Sequence, residues 1–239
     1  MVTRLARAIL FCSAIAPVAC ESGFNPSLDP DPAPGAGGVI GPLREMAARC
    51  GIRIGPAVAH GPLVDDPVYG DTLRREFDIL TPENEMKWGF VQPQRAQYTF
   101  DRADAIMAFA ASNDLKVHGH ALVWHEQNPE WLTSGSFSRA EMIDILRDHI
   151  STVAGRFAGR NLVAWDVVNE AVEDDGSLRR TIWLDRVGAE YIDLAFQFAR
   201  AADRGARLIY NDYGNETINA KSTAIYNLLA GMIARGVPV

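Results

Sequence analysis

Residues 162–171 read LVAWDVVNEA, an apolar run that ends in an amide and a carboxylate. The part Leu162–Val168 is short and rich in β-branched side chains, which is typical of a strand covered on both faces. Comparable runs recur along the chain, and each is followed by a polar loop and an amphipathic helix. These runs are Ile52–Val58, Phe77–Leu80, Leu115–Trp124 and Ala206–Tyr210. The alternation predicts parallel strands joined by helical crossovers.

The predicted helices have readable ends and faces. Ser138 stands three residues before Glu141, a capping-box pattern that opens a helix. The apolar residues expected on its buried face are Met142, Ile145, Leu146, Ile150 and Val153. Two later helices carry the apolar sets Tyr191, Leu194, Ala195, Phe198 and Ile225, Leu228, Leu229, Met232.

Two architectures fit this alternation, namely a doubly wound sheet and a (β/α)8 barrel. No glycine fingerprint of the G-x-G-x-x-G type follows the first predicted strand, which argues against a nucleotide-binding doubly wound sheet. Polar residues instead follow the strands directly, where barrel enzymes keep their active sites. Five βα units precede Val239, whereas a closed barrel has eight strands. The sequence therefore predicts the first five units of a (β/α)8 TIM barrel.

Composition narrows the classes of function. The chain has 239 residues, a hydrophobic fraction of 48% and a net charge of −7. An acidic protein is a poor candidate for binding nucleic acid, but it is compatible with a neutral polysaccharide substrate. The three cysteines, Cys12, Cys20 and Cys50, argue against a disulfide framework and a cysteine-based metal site. We expect Cys50 to pack as a small buried hydrophobe.

The first 42 residues differ in composition from the rest. Two arginines precede an apolar segment over residues 8–19 that is too short to span a bilayer. This predicts a signal peptide over residues 1–20, with a first core helix as the alternative, and Cys20 could be lipidated. Residues 21–42 are rich in Pro and Gly and predict a linker. The catalytic domain is then 43–239, in a secreted, periplasmic or lipid-anchored protein that contacts the membrane only through a lipid on Cys20.

The first candidate for chemistry is the pair Asn169-Glu170, which follows the run Leu162–Val168. Glycoside hydrolysis needs a protonated carboxylic acid beside the scissile oxygen. It also gains from a group that hydrogen-bonds the sugar 2-hydroxyl in the transition state. Glu170 and Asn169 suit these two needs, although such a pair on its own more often opens an ordinary loop.

Three more clusters follow strands. Residues 81–88 offer Glu83, Asn84 and Lys87 as hydrogen-bonding groups for vicinal hydroxyls, or they form a solvated loop around a buried tryptophan. Residues 118–125 hold three histidines. Positions 118 and 120 share a strand face that 125 does not, so we expect histidines that line a pocket and no metal. Tyr213 fits a sugar platform or a half-buried residue at the barrel rim.

In combination, the motifs T-P-E-N-E-M-K-W, G-H-x-L-V-W-H, W-D-V-V-N-E and N-D-Y resemble those of glycoside hydrolase family 10. The resemblance covers roughly residues 43–239. It implies a (β/α)8 retaining endo-β-1,4-xylanase that binds xylan or xylo-oligosaccharides and uses no cofactor. It also implies site roles: Glu170 as general acid/base; Asn169 on the sugar 2-hydroxyl; Glu83, Asn84 and Lys87 on the non-reducing side; His120 and Trp124 at the cleavage subsite; Tyr213 facing the leaving-group sugar.

The resemblance is incomplete in one respect that bears on the chemistry. A retaining glycosidase needs a second carboxylate about 5–5.5 Å from the first as nucleophile. In the family it lies in a T-E-L-D-like motif at the end of the seventh strand, and no residue here matches that motif. We therefore expect the 239-residue chain alone to be inactive. A non-catalytic xylo-oligosaccharide-binding remnant is the alternative, and a cellulase or mannanase of the same barrel clan is a third possibility. Gly89 and Gly214 also depart from the family, which often has aspartate and asparagine there.

Overall fold

Strands and helices alternate through residues 41–239, the part of the chain that the computed structural model describes. The strands are β1 (Ala57–Val58), β2 (Ile79–Pro82), β3 (Lys116–Gly119), β4 (Leu162–Asn169) and β5 (Arg207–Asn211). The helices are α1 (Leu43–Arg49), α2 (His60–Asp65), α3 (Pro67–Glu76), α4 (Trp88–Val91), α5 (Asp101–Ser112), α6 (Glu130–Thr133), α7 (Arg139–Phe157), α8 (Ile182–Arg186), α9 (Tyr191–Ala202) and α10 (Ala220–Ala234).

The five strands form one parallel sheet in the order β1-β2-β3-β4-β5. Each strand pairs with the next along the chain: Ala57 lies opposite Thr81, and Asn169 lies opposite Asn211. A doubly wound sheet reverses its strand order at a switch point, and this sheet has no such reversal. The sequential order is that of the first five units of a (β/α)8 barrel, so the predicted fold class is confirmed.

Two strands are shorter than predicted. β1 covers only the end of Ile52–Val58, because Pro56 accepts a hydrogen bond from Thr81 N (3.1 Å) but has no N–H with which to continue the ladder. β3 covers only part of Leu115–Trp124. The chain leaves the regular sheet after Gly119 and returns where Val123 forms a bridge to Val168. Residues 120–122 therefore form a loop at the carboxyl end of β3.

Gly119 is required by a close approach within the sheet. A Cβ atom on this residue would lie 2.3 Å from the ring of Trp165, which is fully buried beside it on β4. Since real Cβ atoms do not approach other heavy atoms so closely, only glycine fits here without displacing the ring. The contact fixes how β3 and β4 lie against each other just before the segment that carries His120 and, after the bridge at Val123, Trp124.

The long helix α7 forms as predicted. Ser138 caps it, accepting a hydrogen bond from Glu141 N, while the Glu141 carboxylate accepts one from Ser138 N at 2.8 Å. The predicted apolar face is buried, and it also contains His149, which the apolar pattern alone did not single out. In a (β/α)8 barrel the helices cover the outer face of the sheet, and the active site lies at the carboxyl ends of the strands.

Several predictions about the N-terminal region lie outside the described residues. The signal peptide over 1–20, the lipid on Cys20 and nearly all of the linker over 21–42 fall there. Within residues 41–239, no helix has the length and hydrophobicity needed to cross a bilayer. The expectation that Cys50 packs as a small buried hydrophobe is wrong, because the residue lies exposed directly after α1.

Candidate active site

Glu170 is the first residue after β4, at the carboxyl end of the sheet. Its backbone adopts a left-handed conformation with φ of +56°. Two hydrogen bonds hold this backbone: Glu170 N donates to Asn211 O at 2.8 Å, and Arg179 Nε donates to Glu170 O at 2.9 Å. A non-glycine residue in this region of φ is held there by its surroundings. The carboxyl group is thereby aimed from a fixed point at the strand end.

The loop after β3 brings Trp124 onto this carboxyl group. Trp124 Nε1 donates a hydrogen bond of 2.8 Å to Glu170 Oε2. The ammonium of Lys87 lies 4.6 Å from the centroid of the Trp124 ring, and the ring of His120 lies 6.4 Å from it. Side chains that follow β2, β3 and β4 thus meet around one tryptophan. We refer to Lys87, Trp124 and Glu170 as the Glu170 cluster.

Lys87 also joins the cluster to the other polar residues of the segment after β2. Its Nζ donates to Asn84 Oδ1 at 3.1 Å, and Gln127 Nε2 donates to the same oxygen at 3.2 Å. Glu83 is exposed at the edge of this group. Burial lowers the pKa of the Lys87 ammonium, and the nearby carboxylates of Glu83 and Glu170 oppose that effect only in part.

The two histidines at the end of β3 share one buried acid on β4. His118 Nε2 and His120 Nδ1 each lie 2.8 Å from a different oxygen of Asp166. Burial acts to raise the pKa of Asp166, but hydrogen bonds from both imidazoles outweigh it, so this pKa lies below its usual range. Burial acts to lower the pKa of His118, but Asp166 raises it above the ordinary value. Among residues 41–239, no group of three or more potential ligands could hold a metal ion.

Asn169 is buried directly beside Glu170. Its Oδ1 accepts a hydrogen bond of 2.8 Å from Asn211 Nδ2 on the neighbouring strand. Because that contact fixes the orientation of the amide, the Asn169 NH2 group points the other way and remains available as a donor. The pair Asn169-Glu170 therefore presents an amide donor and a carboxyl group side by side.

Tyr213 lies after β5, so that Glu170 stands between Lys87 and Tyr213 in the sequence. Of the surface of Tyr213, 46% is exposed. Arg179 links it to the acid: its Nη2 donates to the Tyr213 hydroxyl at 2.9 Å, while its Nε donates to Glu170 O. Arg179 also forms an ion pair of 3.1 Å with Glu173. All eight predicted site residues thus lie at one end of the sheet: Asn169 is the last residue of β4, and the other seven lie in segments that follow β2 to β5.

Sequence reasoning assigned no role to four residues that build this site: Asp166, Gln127, Arg179 and Lys221, whose Nζ lies 3.3 Å from the centroid of the Tyr213 ring. Asp166 carried a usable signal, since a charged residue inside an apolar strand must find a partner. Arg179, Gln127 and Lys221 lie in loops or at a helix start, where their partners depend on the tertiary fold.

This arrangement combines a proton donor or acceptor with a buried cation and several neutral donors. Such a set suits an uncharged ligand with many hydroxyl groups, one of whose oxygens gains or loses a proton. A family model described as Glycosyl hydrolase family 10 matches residues 42–239. The chain belongs to glycosyl hydrolase family 10.

Relatives within family 10 agree with this membership. The chain is 47% identical to endo-1,4-beta-xylanase B of Thermotoga neapolitana over 200 residues, which cover 83% of this chain and 58% of that protein. It superposes on native xylanase 10B from Thermotoga maritima with a TM-score of 0.80 at 48% identity. The TM-score is 0.81, at 46% identity, for xylanase 10B from Thermotoga petrophila in complex with xylobiose. Both comparisons cover 83% of this chain and 61% of the solved one, so this chain spans about three fifths of their length.

Proposed function

We propose that this protein is an endo-β-1,4-xylanase in which Glu170 is the general acid/base. The observation that supports this most strongly is the hydrogen bond from Trp124 to Glu170, within a cluster that also holds Lys87. Family membership supports the reaction class, and the relatives named above are xylanases.

In the proposed reaction, the Glu170 carboxyl group donates its proton to the glycosidic oxygen as the bond from that oxygen to the anomeric carbon breaks. Asn169 donates from its NH2 group to the 2-hydroxyl of the sugar being cleaved, a contact that strengthens in the transition state. The nucleophilic carboxylate that retention requires, which the resemblance places outside residues 41–239, bonds to the anomeric carbon as the leaving group departs. A water molecule then attacks that carbon, the bond to the carboxylate breaks, and the water gives its proton to Glu170. Glu170 thus ends each cycle protonated.

The substrate is proposed to extend to both sides of Glu170. Glu83, Asn84 and Lys87 would bind sugars on the non-reducing side, with His120 and Trp124 shaping the subsite of the cleaved sugar. Tyr213 would face the leaving-group sugar with its exposed ring. The solved Thermotoga petrophila relative contains xylobiose, which supports a substrate of β-1,4-linked xylose.

Retention of configuration is also proposed, and it requires a nucleophilic carboxylate about 5–5.5 Å from Glu170. The resemblance places that carboxylate on a seventh strand, beyond the five strands of residues 41–239. We therefore expect a polypeptide of these 239 residues to bind xylo-oligosaccharides with negligible turnover. Binding without catalysis is the second candidate function, and it is favoured because every predicted sugar contact lies at the carboxyl end of β4 or in a segment that follows one of β2 to β5.

Calorimetric titration of the 239-residue chain with xylotetraose and cellotetraose tests the substrate. We expect xylotetraose to bind more tightly, and a preference for cellotetraose would contradict the xylanase assignment in favour of a cellulase.

Release of reducing sugar from xylan tests the chemistry, for the chain alone and for the chain fused to the C-terminal part of Thermotoga maritima xylanase that it does not cover. We expect hydrolysis only from the fusion, abolished by Glu170→Ala and retained by the control Glu45→Ala, which changes an exposed glutamate of α1. Appreciable turnover by the chain alone would contradict the proposed need for a nucleophile outside these residues.

The N-terminal region is proposed to export the protein, with a lipid attached to Cys20. Metabolic labelling with a radioactive fatty acid, in cells that express the chain and a Cys20→Ser variant, tests the attachment. Label in the chain but not in the variant is expected. Secretion of unlabelled protein with residues 1–20 removed would exclude the lipid and keep the export signal.

A further inference from the structure

Lys221 is a buried cation in an unfavourable place. It lies in the first turn of α10 and only 1% of its surface is exposed. The amino end of a helix carries partial positive charge, which disfavours a lysine there. A buried ammonium also needs a charged partner. Lys221 Nζ has two such partners: Asp212 Oδ1 at 2.9 Å and Asp174 Oδ1 at 3.3 Å.

Asp212 links Lys221 to the backbone beside Glu170 through hydrogen bonds. Its side chain is fully buried, and its Oδ2 accepts hydrogen bonds from the Tyr210 hydroxyl at 2.6 Å and from Val172 N at 3.4 Å. The Tyr210 hydroxyl in turn accepts from Ala171 N at 3.0 Å. The backbone N–H groups of residues 171 and 172 are therefore anchored by Asp212 and its hydrogen-bonded tyrosine.

The backbone of Glu170 itself is anchored to the same strand. Glu170 N donates to Asn211 O, so three successive N–H groups, those of residues 170 to 172, donate to β5 or the residue after it. Glu170 has a φ of +56°, which an L side chain adopts only when neighbouring contacts impose it. Apart from the hydrogen bond that Arg179 donates to Glu170 O, the contacts that impose it come from residues 210–212, and Lys221 contacts the acid among them.

Lys221 also contacts the tyrosine expected to face the leaving-group sugar. Its Nζ lies 3.3 Å from the centroid of the Tyr213 ring, and Asp212 Oδ1 accepts a hydrogen bond of 2.9 Å from Tyr213 N. An ammonium over one face of an aromatic ring is attracted by the π electrons. The ring keeps 46% exposure, so surface remains for a ligand.

We propose that Lys221 is a positioning residue that acts through Asp212 on two parts of the site at once: the backbone that aims Glu170, and the ring of Tyr213. The inference rests on the proposed function for its catalytic meaning, because Glu170 and Tyr213 are the groups expected on either side of the bond to be cleaved. The alternative is a purely structural lysine that stabilises α10 without affecting the geometry of Glu170.

The indole N–H of Trp124 is a suitable reporter because it donates to Glu170 Oε2. Its cross-peak in an indole ¹⁵N–¹H spectrum is assigned by its loss in Trp124→Phe. We would compare wild type with Lys221→Met and with the control Met232→Ala, which weakens the packing of a fully buried residue on the same helix. A double variant, Lys221→Met with Asp212→Asn, removes both charges and leaves no uncompensated buried carboxylate.

The Trp124 cross-peak is expected to move in Lys221→Met and in the double variant, and to stay at the wild-type position in Met232→Ala. A wild-type position in the double variant would overturn the proposal, as would an equal displacement in Met232→Ala. If Lys221→Met does not fold, the double variant decides. The reporter needs no sugar, so failure of xylotetraose to bind would contradict the proposed function while leaving this test intact.

Discussion

The indole of Trp124 donates a hydrogen bond of 2.8 Å to Oε2 of Glu170, across 46 residues of sequence. This bond occupies one carboxyl oxygen and fixes the orientation of the group. The other oxygen, Oε1, has no hydrogen-bond partner within residues 41–239, so it is available to a ligand. Under the proposed function, Oε2 is therefore the held oxygen and Oε1 is the one that transfers the proton.

Replacing Trp124 by Phe removes this hydrogen bond while keeping an aromatic ring under Lys87. Because a hydrogen bond between neutral groups contributes about 0.5–1.5 kcal/mol, we expect xylotetraose to bind up to about tenfold more weakly in calorimetric titration. The matched control is Trp131→Phe, which also loses one indole hydrogen bond, to Gln92 O at 3.1 Å. Trp131 lines a separate cavity of about 430 Å³. Equal affinities for the two variants would contradict the role given to Trp124.

Replacing Lys87 by Met removes the buried ammonium and its bond to Asn84. Since burial lowers the pKa of Lys87 below 10.5, the wild-type protein loses this proton at a lower pH than an exposed lysine would. The affinity of the wild-type protein for xylotetraose should therefore fall as the pH rises towards the lowered pKa of Lys87. The Lys87→Met variant should bind xylotetraose weakly at every pH.

The control for this series is Lys116→Met. Lys116 is the first residue of β3, at the end of the strand that is opposite to the site. It should keep both the wild-type affinity and its alkaline decline. A Lys87→Met protein that still loses affinity with rising pH would show that another group titrates.

Gly119→Ala should destabilise the fold because the added Cβ meets the Trp165 ring at 2.3 Å. Overpacking of this kind costs about 1–3 kcal/mol. Gly155→Ala is the control, since a Cβ there meets nothing within 4 Å. In the interior of α7 it should stabilise by about 1 kcal/mol. Urea unfolding measures both, and a Gly119→Ala protein as stable as wild type would contradict the packing at this position.

His149 predicts a specific pH dependence of stability. It is fully buried and stacks on Trp88 with ring centroids 3.5 Å apart, and burial holds its pKa well below 6.5. Below pH 6.5 the unfolded chain takes up a proton at this residue that the folded chain does not. The free energy of unfolding should therefore fall as the pH is lowered from 6.5 towards the folded-state pKa.

The variant His149→Phe keeps an aromatic ring against Trp88 and removes the titrating group. Its free energy of unfolding should fall less steeply than that of wild type between pH 7.5 and pH 5 when urea unfolding is repeated across this range. Parallel slopes in the two proteins would show that His149 is not the group responsible.

Much of the fold could be predicted from the sequence because local patterns specify it. The strand Leu162–Val168 is apolar along its length, and Ser138 with Glu141 forms a cap from neighbouring residues. Strand ends were less predictable, since the apolar run Leu115–Trp124 gives no sign that β3 ends at Gly119 and that Val123 returns to a bridge with Val168.

The candidate site was predictable only in part, for a related reason. Glu170 and Lys87 stand in motifs that follow strands directly, and sheet order alone brings such motifs to one edge. The sharing of Asp166 by two histidines depends on the register between β3 and β4, 46 and 48 residues apart in sequence. The contact of Lys221 with Asp212 depends on how α10 packs, and no local pattern encodes it.

The most direct test of the central claim, that a sugar binds at the Glu170 cluster, is a titration of ¹⁵N-labelled protein with xylotetraose, followed through the indole N–H signals of its five tryptophans. The Trp124 signal should shift progressively and saturate, while the signal of Trp131 should stay in place. A saturating shift of Trp131 with none at Trp124 would place the sugar elsewhere and contradict the assignment of Glu170.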